Sequence, residues 1–248
     1  MDLGIAGKRA VVAASTSGLG LATAVALGEA GCEVVVSSRN EERLARAAEL
    51  VPNAHPVQGD VSTIAGSQSF MAAATAELGG VDILITNAGG PPPGTFASTP
   101  IEDYSAALEQ NLTSMAALCH EVIPGMREQK WGRIVAITST SVRQPMPNLI
   151  LSNTARTGLT SLLKTLALEV AADGITVNTV QPGLHLTPRV EQLYDEEGVK
   201  QAAMGVAAQR VGDAADFGRV TAFLCSEAAN YITGVSIPVD GGRFTALQ

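Results

Sequence analysis

Charge is scarce in this sequence, and positive charge scarcer still. Only 16% of the residues are Asp, Glu, Lys or Arg, and 16 basic residues against 24 acidic ones leave a formal net charge of −8. Nothing clusters Lys and Arg to neutralise phosphates, which argues against nucleic acid or an anionic membrane as a partner. Cysteine is limited to Cys32, Cys119 and Cys225, widely spaced within apolar runs. That excludes a disulfide framework and predicts reduced core residues in a cytosolic protein. No apolar stretch reaches the ~18 uninterrupted residues of a membrane span, and the start MDLGIAGKRAVV lacks the pattern of a leader peptide. Repeats, low-complexity tracts and linker-like segments are missing too, so residues 1 to 248 read as a single domain with no metal site assigned.

Aliphatic and small residues fill the remainder. With 46% hydrophobic residues the chain can bury a sizeable core. Short β-branched runs at 9 to 14, 32 to 38, 54 to 59, 81 to 87, 133 to 139, 175 to 180 and 235 to 240 read as strands. Helical patterns lie between them, near 18 to 31, 40 to 50, 63 to 79, 101 to 129, 149 to 173 and 213 to 225. Apolar strands alternating with helices predict an α/β protein of the Rossmann kind, with a doubly wound parallel sheet of about seven strands. Two segments break the rhythm: the loop GGPPPGTFASTP at 89 to 100, and an insertion at about 183 to 212. Both leave the carboxyl ends of strands, where open α/β sheets bind ligands, so both are expected to wall a pocket.

A small-residue loop follows the first strand and ends in Gly18 and Gly20 as a helix begins. Glycine there lets backbone approach a pyrophosphate at the positive end of the helix, although an ordinary strand-to-helix turn uses Gly as well. The second strand ends in Ser38 and Arg39 rather than an acid. An acid would accept from a ribose 2′-hydroxyl, whereas Arg39 can fork onto a 2′-phosphate, so NADP(H) is expected in preference to NAD(H).

Seven segments in order make the chain resemble a short-chain dehydrogenase/reductase: SGLG (17 to 20), GDVS (59 to 62), NAGG (87 to 90), Asn111, GRIVAITS (132 to 139), ITVNTVQPG (175 to 183) and TGVSIPVDGG (233 to 242). The resemblance implies cofactor contacts from Ser15, Ser17, Gly18, Leu19 and Gly20. It places Asp60 and Val61 at the adenine, Asn87, Ala88 and Gly89 along the adenosine ribose, and Pro182, Gly183 and Thr187 around the nicotinamide. It also implies a homo-oligomer, a tetramer or dimer, paired through helices 101 to 129 and 149 to 173 and the last strand, in the cytoplasmic setting that the cysteines predict. Taken singly, each position has a plainer role: Asp60 can cap a helix, and Pro182 with Gly183 can form a turn.

The family's catalytic helix carries a Tyr and, one turn later, a Lys, about a dozen residues beyond a Ser. Matching motif by motif, Ser139 takes the Ser position and Asn111 that of the water-holding Asn. Ser152 falls where the Tyr belongs and Arg156 where the Lys belongs. The only tyrosines are Tyr104, Tyr194 and Tyr231, and none has Lys four residues on. Arg156 keeps the charge and can still meet ribose hydroxyls, but an aliphatic alcohol cannot simply inherit the proton transfer of a phenol of pKa about 10. The proton must then come from water held by Asn111 and Ser139, from the substrate, or from His185 or Tyr194 in the insertion. His55 and His120 are expected to be structural. Ala13 and Ala14 replace a common Thr-Gly, a mild change unless φ must be positive.

Pro92, Pro93, Met146, Leu149 and Leu184 are the expected substrate lining, with Arg143 the nearby charge, which suits a small uncharged molecule. Three functions stay open. One is an NADP(H)-dependent oxidoreductase acting on a carbonyl or alcohol by an atypical proton path. The second is a catalytically silent dinucleotide-binding or regulatory protein, and the third a non-redox enzyme such as a lyase on the same scaffold.

Overall fold

The computed structural model describes residues 2 to 247, except the side chains of residues 189, 192 and 193. Strands β1 (Arg9–Val12), β2 (Glu33–Ser38), β3 (Ala54–Gln58), β4 (Ile83–Thr86), β5 (Gly132–Ile137), β6 (Ile175–Pro182) and β7 (Ser236–Val239) form one sheet. Its order is β3-β2-β1-β4-β5-β6-β7, and every pairing is parallel. Helices alternate with the strands: α1 (Gly18–Glu29), α2 (Glu41–Leu50), α3 (Ile64–Leu78), α4 (Glu102–Leu108), α5 (Ser114–Gln129), α6 (Ile150–Val170), α7 (Pro188–Leu193), α8 (Glu196–Met204) and α9 (Ala214–Leu224). Among the described residues no helix is long and apolar enough to cross a membrane.

Alternation along each strand divides the core in two. Val11, Val35, Leu84, Ile134 and Val177 pack with the residues of α3, α5 and α6 on one face. Val12, Val34, Ile83, Ile85, Val135 and Val180 pack with α1 and α9 on the other. Each fully buried aliphatic side chain contributes roughly 1.5–3 kcal/mol, and burial on both faces explains the continuous apolar runs. The edge strands carry proline within their length, Pro56 in β3 and Pro238 in β7, whereas the interior strand β6 has it only at its last position, Pro182. Proline lacks the N–H that a further strand would need, so it is tolerated there and blunts the edges.

Three segments differ from expectation. The helix expected over 101 to 129 is α4 and α5 joined by a π turn at Glu109–Thr113, which buries Asn111. Ser114 Oγ bonds back to the Gln110 carbonyl at 2.9 Å within this widened turn. The helix expected to 173 changes to a 3₁₀ turn, Ala171–Asp173, closed by Gly174 at φ 75°. The insertion is not irregular throughout: it holds α7 and α8, and the Asp195 carboxylate caps α8 by accepting from Gly198 N at 2.8 Å.

The strand order reverses between β1 and β4, so the loops after these two strands diverge and leave a crevice at the carboxyl end of the sheet.

Candidate active site

That crevice is a cavity of about 590 Å³ running from the start of α1 and the end of β2, past β4 and β5, to α6 and the insertion. At its first end lie Ser17, Gly18, Leu19 and Gly20. Ser17 occupies the N-cap of α1 without a side-chain capping bond, and no acid sits in the first turn. The first N–H groups of the helix therefore face the crevice with their partial positive charge uncompensated by a cap. Gly18 has φ +57°, and a Cβ on Gly20 would stand 2.7 Å from both the Ala14 carbonyl and Asn87 Nδ2. Glycine at these positions keeps the loop tight against the strands and leaves the helix end bare.

Ala14 has φ 49°, the left-handed region that costs an L-residue strain. It is held there from both sides: its N–H donates to Ser37 Oγ at 2.8 Å, and its carbonyl accepts from Asn87 Nδ2 at 3.1 Å. Ser15 is fully buried behind the loop and does not line the cavity. Its hydroxyl donates to the Val12 carbonyl at 2.8 Å and accepts from Ser37 N at 2.9 Å, tying β1 to β2.

Ser38, Arg39, Asp60 and Val61 line the adjoining wall. Arg39 is 75% exposed and its Nη1 lies 3.8 Å from the Asp60 carboxylate. Burial pushes the Asp60 pKa up, but hydrogen bonds from the Ser62 hydroxyl and amide and the charge of Arg39 outweigh it and hold the group below its ordinary value. Asn87, Ala88 and Gly89 follow, and Gln110 Nε2 donates to the Gly89 carbonyl at 3.2 Å.

The far end gathers Ser139, Ser152 and Arg156 with Met146, Leu149, Pro182, Gly183, Leu184 and Thr187. Ser139 Oγ accepts from Ser141 N at 3.1 Å, capping a 3₁₀ turn, and this fixes the hydroxyl at the mouth of β5. Arg156 is buried, and its guanidinium donates to the carbonyls of Ile137 at 3.0 Å, Thr138 at 3.4 Å and Ala88 at 3.4 Å. It thereby stitches the ends of β5 and β4 together while presenting a permanent charge to the cleft. Asn111 is 1% exposed and lies behind the lining, with neither amide atom hydrogen-bonded among the described residues. Such a buried amide is a place for an ordered water.

The expected proton donors differ in placement. His185 lines the cavity but is 5% exposed, its ring edge-on to Phe217 with centroids 5.2 Å apart. Burial lowers its pKa, only partly opposed by the contact to the Gly183 carbonyl. Tyr194 is the tyrosine on the cavity wall and is 43% exposed. Pro92 and Pro93 are exposed and do not line the cavity, whereas Pro91 does. Gly94 pairs with Leu149 in an isolated bridge, which turns the two preceding prolines outward. Arg143 also points elsewhere, donating to the Ser236 carbonyl at 3.3 Å.

Several lining residues had no signal of their own in the sequence: Thr138, Gln110 and Arg243 are examples. Gln110 is next to Asn111 in the π turn, and Arg243 follows the DGG of the last motif. β7 pairs with β6 from Thr179↔Ser236 to Pro182↔Val239, and that register carries Arg243 back to the insertion side of the cleft.

Comparison with known proteins agrees with this architecture. The family model described as enoyl-(acyl carrier protein) reductase matches residues 13–243. Dehydrogenase/reductase SDR family member 4 of Bos taurus is 36% identical over 247 residues, covering 97% of this chain and 88% of the relative. The 3-oxoacyl-(acyl-carrier-protein) reductase of Vibrio cholerae is 34% identical over 245 residues, covering 98% and 99%. Among solved structures, L-sorbose reductase from Gluconobacter frateurii, complexed with NADPH and L-sorbose, superposes with a TM-score of 0.93 at 32% identity over all of both chains. With its full-length matches, parallel seven-stranded sheet and crevice at the strand reversal, the chain belongs to the short-chain dehydrogenase/reductase family of oxidoreductases.

Proposed function

We propose that the protein is an NADP(H)-dependent oxidoreductase that reduces a small carbonyl compound, or oxidises the corresponding alcohol, with an atypical proton path. The observation that carries this reading is a single continuous cleft joining the uncapped start of α1 and Arg39 to Ser139, Ser152 and Arg156. The bare helix end and Gly18 suit a pyrophosphate, and Arg39 suits a 2′-phosphate. Two solved relatives, a bacilysin-pathway reductase described as NADPH dependent and the sorbose reductase with NADPH, point to the same cofactor. When bound, the nicotinamide supplies or accepts the hydride.

The chain's own groups handle the proton. Ser139 Oγ accepts from Ser141 N at the cleft, which leaves its own proton free to donate to a substrate oxygen. Ser152 is too short and too weakly acidic to act as a phenol does, and it leaves room for water in its place. The Asn111 amide, with no hydrogen-bond partner among the described residues, is the group to anchor that water from behind. The fixed charge of Arg156 favours the anion that develops as hydride arrives. Met146, Leu149 and Leu184 supply an apolar wall for the substrate.

Titration with NADPH and NADH, read by fluorescence of the reduced nicotinamide, tests the cofactor half. NADPH is expected to bind about tenfold tighter than NADH, a difference of about 1.4 kcal/mol, and Arg39→Ala to abolish the difference. Binding of neither at millimolar concentration would overturn the reading. For the chemistry, Ser139→Ala is expected to lower kcat/KM about 10²–10⁴-fold on whichever carbonyl substrate turns over in a panel. One observation favours a silent dinucleotide-binding protein instead, namely Ser152 at the cleft where the family resemblance calls for a phenol. Tight NADPH binding with no turnover across that panel would select it.

A further inference from the structure

A second cavity, of about 660 Å³, lies between α6, the end of β6 and the start of β7. Thr157, Thr160, Ser161 and Lys164 of α6 form one wall, Arg143 stands at one end, and Gln181 lies beneath. Gln181 follows Val177 on the face of β6 that packs toward α6. It is fully buried, and among the described residues neither its Oε1 nor its Nε2 has a hydrogen-bond partner. An amide removed from water without partners is costly, and one facing a cavity marks a place where a ligand can supply them.

The charges around it are unusual for this molecule. Lys164 Nζ donates to the Gly234 carbonyl at 2.9 Å and Arg143 Nη2 to the Ser236 carbonyl at 3.3 Å, so the strand leading into β7 holds both cations at the same rim. Each uses one donor of the three or five it possesses. No acid lines the cavity, and among the described residues neither cation forms an ion pair. In a chain of net charge −8, two cations with no acid on one cavity are a local reversal of sign. We propose that this cavity binds a dianionic phosphoryl group, free or carried on a small molecule. Lys164 and Arg143 balance its two charges, the hydroxyls of Thr157 and Ser161 and the Gln181 amide donate to its oxygens, and the cavity is large enough for a monoester. The site is separate from the dinucleotide cleft, since Ser152 and Arg156 of the same helix face that cleft and Thr157 and Ser161 face this one.

Calorimetric titration with inorganic phosphate and with phenyl phosphate, at fixed ionic strength against a chloride reference, tests the proposal. The double variant Arg143→Met, Lys164→Met changes only exposed side chains, and it is expected to bind phosphate at least about tenfold more weakly than the wild type. Gln181→Leu is expected to weaken binding severalfold while raising the melting temperature of the unliganded protein. Tighter binding of phenyl phosphate identifies a carried phosphoryl group, and equal binding identifies the free ion. Undiminished affinity in the double variant overturns the proposal. So does a loss confined to Arg39→Ala, which would put the phosphate at α1, or an equal response to chloride. Retained affinity with an altered assembly mass by light scattering also overturns it, in favour of contact with a second copy of the chain.

Discussion

Ala14 shows how much one backbone angle decides. Its φ of 49° is imposed by bonds from Ser37 and Asn87, which fix the loop between β1 and α1. A left-handed L-residue costs roughly 1–2 kcal/mol, part of which glycine gives back through its freer unfolded chain. Ala14→Gly should therefore stabilise the protein by about 1 kcal/mol and raise Tm by roughly 2–4 °C in a calorimetric scan. A lowered Tm would mean that the loop tolerates Ala without strain. Arg156 teaches the same lesson from the side-chain end. Its place in the sequence suggests a ribose contact, and the structure adds three bonds to the backbone carbonyls of Ile137, Thr138 and Ala88 at the ends of β5 and β4.

Between elements, the edge strand β3 depends on a polar clamp as well as on apolar contacts. His55 Nε2 meets Glu33 of β2 at 2.9 Å and its Nδ1 meets Glu77 of α3 at 2.9 Å. Hydrogen bonds to Glu33 and then Glu77 raise the His55 pKa against an opposing effect of burial. Because the folded value lies above the unfolded one of about 6.5, the clamp's contribution is full below that pH and is lost as pH rises through the folded value. All three side chains are partly exposed, at 29%, 47% and 52%, so the gain is held below about 1 kcal/mol. Wild type and His55→Ala should differ in Tm at about pH 6 and converge by about pH 9. An undiminished difference at the higher pH would show that packing, not the ion pairs, stabilises this edge. The strand was legible in the sequence, but the clamp was not, since Glu33 and Glu77 meet His55 only through the pairing of β2 with β3 and the packing of α3.

At the scale of the whole molecule, the two-faced sheet seals its thiols. Cys32, Cys119 and Cys225 are free and buried. Burial pushes the thiols of Cys32 and Cys119 up to about 12, and that of Cys225 up as well. Only the thiolate is nucleophilic, so an aromatic disulfide reagent should leave all three unmodified in the native state and label them at the rate of global unfolding. Fast modification of any one would reveal a local opening of the core around it. The same sheet explains the position of the cleft: reversal of strand order between β1 and β4 places the motif loops side by side although many residues separate them in sequence.

By itself the sequence determined the alternation of strands and helices, because burial on both faces demands continuous apolar strands and glycine marks the loops. It also determined most of the cleft lining between α1 and β4, since those positions need small residues at set distances from strand ends. Tertiary structure decided the rest. It turned Pro92 and Pro93 outward through the Gly94–Leu149 bridge, sank His185 against Phe217, and drew Arg243 into the cleft. It also placed Gln181 beneath the cations of α6 and the turn after β5. These outcomes depend on which elements pack together and in what register, and spacing along one chain carries no record of contacts made between distant segments.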